Sequence, residues 1–123
     1  MAAKKILIVD DEPDVLLVLG KRLTSAGYDV VKAGSGQAGL SKAKTERPDL
    51  IILDMMMPEM SGEEVAQELK IGRETRSIPI LFLTALFTKR DEAAQGHAAG
   101  GQIFFAKPYD PEELLAEVKR LLT

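Results

Sequence analysis

Four short, nearly unbroken apolar runs, Ile6 to Val9, Leu50 to Leu53, Ile80 to Leu83 and Ile103 to Phe105, constrain the fold more than any other feature of this chain. A strand with one wet face alternates apolar and polar residues, whereas a run without alternation fits a strand covered on both faces, as in a parallel sheet. A fifth run, Asp29 to Ala33, alternates more and reads as an edge strand. Helically spaced residues separate the runs, such as Val15, Leu19, Leu23 and Ala26, and later Leu114, Leu115, Val118, Leu121 and Leu122. Parallel strands need right-handed helical crossovers that cover both faces. The expectation is therefore a doubly wound α/β sheet of five parallel strands with helices on both faces.

The length of 123 residues suits one such domain, spanning residues 1–123, with no linker or repeat inside it. The chain has no cysteine and one histidine, which removes disulfides, thiolate nucleophiles and Cys- or His-rich zinc sites. A net charge of −3 without a clustered basic face argues against direct contact with nucleic acid. No apolar run approaches the roughly 18 residues of a membrane span, and Met1 to Lys5 leads into no secretory h-region. A soluble cytoplasmic protein with no membrane partner is expected.

Local signals support the helices. Ser61 with Glu64, and Asp110 with Pro111 and Glu113, have capping-box spacing, and Gly27 fits a helix stop. A helix is expected from about Thr88 to Ala99, weakened by Gly96.

In a doubly wound sheet, ligands bind outside the carboxyl ends of the strands where strand order reverses. The residues at those ends are Asp10 and Asp11, Asp54, Thr84, and Lys107 with Pro108. Three carboxylates gathered at one edge repel unless a cation offsets them. Mg²⁺ suits the set, since it takes one or two carboxylates, keeps waters and leaves room for phosphate oxygens. A carboxylate so neutralised can attack phosphorus and form an acyl phosphate, and Asp54 is the most central candidate.

Four segments, Val9-Asp10-Asp11-Glu12-Pro13, Asp54-Met55-Met56-Met57-Pro58-Glu59-Met60-Ser61-Gly62, Leu83-Thr84-Ala85 and Lys107-Pro108, together resemble the receiver domains of two-component response regulators, the CheY-like family. The resemblance runs from about Lys4 to the C-terminus and implies a flavodoxin-like strand order 2-1-3-4-5. It implies that Asp10 and Asp11 are a metal-binding acidic pair, that Asp54 is both phosphoacceptor and metal ligand, and that Met56 lends its backbone carbonyl to Mg²⁺. Thr84 resembles the switch hydroxyl, Lys107 the cation that pairs with the phosphoryl group, and Phe104 the aromatic that changes rotamer on activation. Lys107-Pro108 resembles the family's cis peptide. The implied partners are a sensor histidine kinase or phosphotransfer protein as donor, and a downstream protein target or an effector domain outside this chain; a phosphorylation-dependent dimer is compatible with the resemblance. The implied activity is a switch that catalyses only its own phosphorylation and dephosphorylation, not a turnover enzyme.

Other readings are weaker. Gly34-Ser35-Gly36-Gln37-Ala38-Gly39 is a literal dinucleotide fingerprint, but it follows the poorest strand, whereas that motif belongs after the central first one. Gly39 stands where the family usually has alanine, which would weaken its helix. A haloacid-dehalogenase-like phosphatase would need a second Asp two residues past the nucleophile, where Met56 stands. A flavodoxin-like flavin site would meet repulsion from Asp10, Asp11 and Glu12. His97 reads as an ordinary helical residue, and Leu17 points away from the core stripe of the first helix. Met56 and Leu86, at positions that flank the phosphoryl group in the family, are both apolar and suggest a long-lived phosphoaspartate.

Overall fold

A computed structural model describes residues 3–85, 91, 98–99 (backbone only) and 102–123. Its elements are β1 (Lys5–Val9), α1 (Pro13–Ser25), β2 (Asp29–Ala33), α2 (Gly36–Glu46), β3 (Leu50–Leu53), α3 (Gly62–Ile71), β4 (Ile80–Thr84), β5 (Ala98–Ala99), β6 (Gln102–Ala106) and α4 (Pro111–Leu121). The sheet runs β2-β1-β3-β4-β6-β5. Its five long strands are parallel, so they follow the expected order 2-1-3-4-5.

One feature departs from expectation. Ala98–Ala99 form a short strand antiparallel to β6, with Ala99 opposite Gln102, where the sequence suggested the end of a helix. Pairing with the open edge of β6 satisfies backbone groups there. Within the rest of the expected helix Asp91 is described and is helical, while Gly96 and His97, and Leu86 before the helix, lie outside the described residues.

Each unbroken apolar run feeds two cores at once. Ile6, Ile8, Leu50, Ile52, Leu81 and Leu83 face a cluster completed by Leu19 and Leu23 of α1 and Leu114 and Val118 of α4. Their neighbours Leu7, Val9, Ile51, Leu53 and Phe82 face Ala43 of α2 and Val65, Ala66 and Leu69 of α3. The period-2 alternation of a strand thus sends successive residues to opposite helix layers.

The helix ends use the expected chemistry. Ser61 accepts from the Glu64 amide while the Glu64 carboxylate accepts from the Ser61 amide, a complete capping box. Asp110 accepts from the amides of Glu112 and Glu113. Gly27 has φ 98°, a left-handed conformation that turns the chain from α1 into β2.

The glycine fingerprint has a packing role. Ser35 caps α2 through the Ala38 amide, and β2 is an edge strand. A Cβ on Gly39 would lie 2.9 Å from both methyl carbons of Val9, and one on Gly36 would lie 2.9 Å from Val65. These glycines let α2 lie close to β1 and α3, so Gly39 serves helix–sheet approach as well as lowering helix propensity.

Candidate functional site

Strand order reverses between β1 and β3, and the residues just past them are Asp10 and Asp54. Backbone hydrogen bonds continue the ladders beyond the strands: the Asp10 amide donates to Ala33 O (3.1 Å), Asp54 to Val9 O (3.0 Å), and Lys107 to Thr84 O (3.2 Å). The functional side chains therefore start from fixed backbone. Asp10, Asp54 and Thr84 are buried, at 2%, 4% and 0% exposure.

Lys107 Nζ gathers the acidic groups. It lies 2.7 Å from Asp10 Oδ2, 3.0 Å from Glu12 Oε1 and 3.5 Å from Asp54 Oδ2. Carboxylate oxygens of Asp10, Glu12 and Asp54 all lie within 4.8 Å of one another. The Glu12 amide donates to Asp10 Oδ1 at 2.9 Å, and the Met56 amide approaches Asp54 Oδ1 at 3.4 Å.

The electrostatics follow from one ammonium facing three carboxylates. Burial, then the charge of Asp10, push the Asp54 carboxyl above its ordinary range, while Lys107 and the Met56 amide pull it down without cancelling the rise. Burial pulls the Lys107 ammonium down, but hydrogen bonds to Asp10 and Glu12 and the charges of Asp10 and Asp54 hold it above the usual lysine value. The uncompensated negative charge and the all-oxygen donor set fit a hard divalent cation.

Asp10, Asp54 and Lys107 are brought together as expected, and Thr84 ends β4 on the same edge of the sheet. Asp11 is exposed and outside the acidic triad, where Glu12 stands instead. Both lie just past β1, Asp10 buried and Asp11 exposed. The sequence reading gives Glu12 no place at the site beyond its motif and its repulsion of a flavin phosphate; the available signal was a carboxylate two residues past a strand-end aspartate, at the turn into α1. Met56 has an exposed side chain (59%) at the rim. Phe104 is half-buried, with its ring stacked on Phe82 at a centroid distance of 5.0 Å. The Lys107–Pro108 peptide bond is cis.

Gly62 shapes the loop after β3. A Cβ there would fall 2.0 Å from the Asp54 carbonyl oxygen and 2.7 Å from Met55 Cα. The Gly62 amide donates to Met55 O at 2.9 Å, so the start of α3 lies directly against the loop that begins at Asp54.

The response regulator receiver domain family model matches residues 6–119. The chain is 42% identical over 119 residues to the alkaline phosphatase synthesis transcriptional regulatory protein PhoP of Bacillus subtilis, covering 97% of this chain and 48% of that protein. It is 42% identical over 118 residues to the DNA-binding dual master transcriptional regulator RpaA of Synechocystis, covering 96% of this chain and 48% of that one. The chain spans about half the length of these curated relatives. Among solved structures, the chemotaxis protein CheY4 of Vibrio cholerae superposes with a TM-score of 0.83 at 36% identity, covering 98% of this chain and 100% of that one. The receiver domain of sensor histidine kinase PA1611 of Pseudomonas aeruginosa, which has a magnesium ion coordinated in its active-site cleft, gives 0.83 at 29% identity, with 98% of each chain covered.

Proposed function

We propose that this chain, which belongs to the response regulator receiver domain family, accepts a phosphoryl group on Asp54 in a Mg²⁺-dependent reaction, the whole of residues 1–123 acting as one switch domain. The observation that carries the reading is the buried Asp54 carboxylate beside Asp10 and 3.5 Å from the Lys107 ammonium. A nucleophilic carboxylate facing a phosphoryl dianion needs cations on that side of the site.

Asp10 and Asp54 would hold Mg²⁺, with Asp11 and the Met56 carbonyl as the further ligands that the family resemblance implies. When bound, the ion neutralises charge on the phosphoryl oxygens. Lys107 supplies a second, protein-borne positive charge on the same side. Asp54 attacks phosphorus through one carboxylate oxygen, and the bond from phosphorus to the donor atom breaks with its electron pair leaving on the donor. The Thr84 hydroxyl, at the end of the strand beside β3, would bond a phosphoryl oxygen, and Phe104 would turn with it.

The donor we infer is a phosphohistidine on a sensor kinase or phosphotransfer protein. Leu17 and Val18 on α1 are exposed at 49% and 46%. Val18 also lines a shallow cavity of about 460 Å³ that reaches Glu12 and Lys107, a surface suited to an apolar partner helix beside the acceptor. An effector domain or separate target would read the switch, through a phosphorylation-dependent dimer or otherwise. Among the described residues no helix is long and apolar enough to cross a membrane; a cytoplasmic setting is part of the proposal.

The test is incubation with phosphoramidate and Mg²⁺ followed by intact-mass measurement. One added phosphoryl group is expected on the natural chain and none on Asp54→Asn. Equal labelling of the two would reject Asp54 as the acceptor.

A further inference from the structure

We propose that Glu12 is a positioning residue that holds the Lys107 ammonium away from Asp54 in the unmodified domain and so restrains phosphorylation; the inference rests on the phosphoacceptor reading of Asp54. The ammonium sits off-centre in its cage, with Asp10 at 2.7 Å, Glu12 at 3.0 Å and Asp54 at 3.5 Å. The first two are full hydrogen bonds, while the third is beyond the usual range for one. An ammonium has three donors, and two are already committed. A phosphoryl group arriving at Asp54 must attract the same Nζ against the pull of Glu12.

Glu12 is built for a weak, releasable hold. Its side chain is 60% exposed, so its bond to Lys107 is screened by water, unlike that of Asp10, whose side chain is 2% exposed. Although Glu12 is the N-cap residue of α1, its side chain makes no capping bond. Its local ties run through the backbone, the amide donating to Asp10 and the carbonyl accepting from the Val15 and Leu16 amides, and any substitution other than proline retains them. Truncating Glu12 therefore frees Lys107 without removing a helix cap or a core contact. An exposed ion pair of this kind corresponds to a rate effect of about two- to fivefold.

In the experiment, the initial phosphorylation rate from phosphoramidate is followed by intact mass. The Asp54 oxygen–phosphorus bond forms as the phosphorus–nitrogen bond breaks, and nitrogen leaves as ammonia with the bonding pair. Calorimetric titration of each variant with Mg²⁺ sets a saturating concentration, so that a change in metal affinity does not enter the rate. Glu12→Ala is expected to react about two- to fivefold faster than the natural chain. Glu12→Asp, which keeps the charge but is one methylene too short to reach Nζ, should be accelerated similarly. In a Lys107→Ala background, Glu12→Ala should change nothing. Equal rates for the natural chain and Glu12→Ala would overturn the proposal. So would an acceleration that persists without Lys107, or natural-chain behaviour in Glu12→Asp, since either would mean that charge alone repels the anionic donor. A natural chain that takes up no phosphoryl group at all would overturn the phosphoacceptor reading itself.

Discussion

The rings of Phe82 and Phe104 stack 5.0 Å apart with their planes 18° from parallel, across directly paired positions of β4 and β6. Phe82 is buried in the α2–α3 side of the core, and Phe104 packs against that cluster from a half-buried position. Turning Phe104 away forfeits the ring contact, worth about 0.5–1.5 kcal/mol. The stack therefore sets part of the energy gap that an aromatic switch must cross. Phe104→Ala is expected to lower unfolding stability by about 2 kcal/mol, less than a fully buried ring, and Phe104→Leu by about half of that. Urea denaturation checks both, and an Ala variant as stable as the natural chain would show the stack to be energetically idle.

Gly62→Ala should be among the most damaging single-methyl additions in the domain. The new carbon would overlap the Asp54 carbonyl oxygen at 2.0 Å, which is backbone and cannot swing aside. Relief requires α3 to retreat from the loop after β3. A loss of about 3 kcal/mol is expected, against a gain near 1 kcal/mol for Gly→Ala in an unobstructed helix. Thermal unfolding gives the sign directly.

Asp54→Asn should make the metal-free domain more stable at neutral pH. Burial and the neighbouring Asp10 hold the Asp54 carboxyl above its ordinary range in the fold. Its folded pKa thus exceeds the unfolded one, so its contribution to stability is fully present below the unfolded value, near 3.9, and is lost as pH rises through the raised value. The amide removes that loss. The variant's advantage should be clear at pH 7 and shrink towards pH 4, while Mg²⁺ should stabilise the natural chain more than the variant. Chemical denaturation across that range, with and without Mg²⁺, decides it; an advantage independent of pH would contradict the electrostatic account.

Met56 governs lifetime in our reading. Its thioether is exposed at the rim, two residues from Asp54, and offers no strong acceptor to hold a water in line with phosphorus. Met56→Asn is expected to shorten the half-life of the phosphorylated domain severalfold, measured by loss of the phosphoryl mass in Mg²⁺ buffer. Unchanged decay would show that solvent reaches the phosphorus regardless of this side chain.

Four of the five parallel strands were legible because burial on both faces leaves unbroken apolar runs, and Ile6 to Val9 contributes to both cores residue by residue; the edge strand β2 showed only as a weaker, alternating run. β5 was not, since two alanines carry no periodicity. Asp10, Asp54, Thr84 and Lys107 could be found from their places at strand ends. Glu12 was not assigned, because its place two residues past a strand-end aspartate is a weak signal on its own and its contact with Lys107 spans 95 positions. Asp11, next in sequence to a buried aspartate, is exposed.

The two outer borders of the sheet bear on how the chain avoids polymerising. A bare parallel border offers a template to any passing strand. β2 carries exposed charges at Asp29 and Lys32 along its five residues, and beyond β6 the last strand is only two residues long. Neither border presents a long apolar ladder, so self-association through β-extension is disfavoured at both ends. Contacts between copies are thereby left to helix faces and loops, which a phosphoryl group at the strand tips could influence.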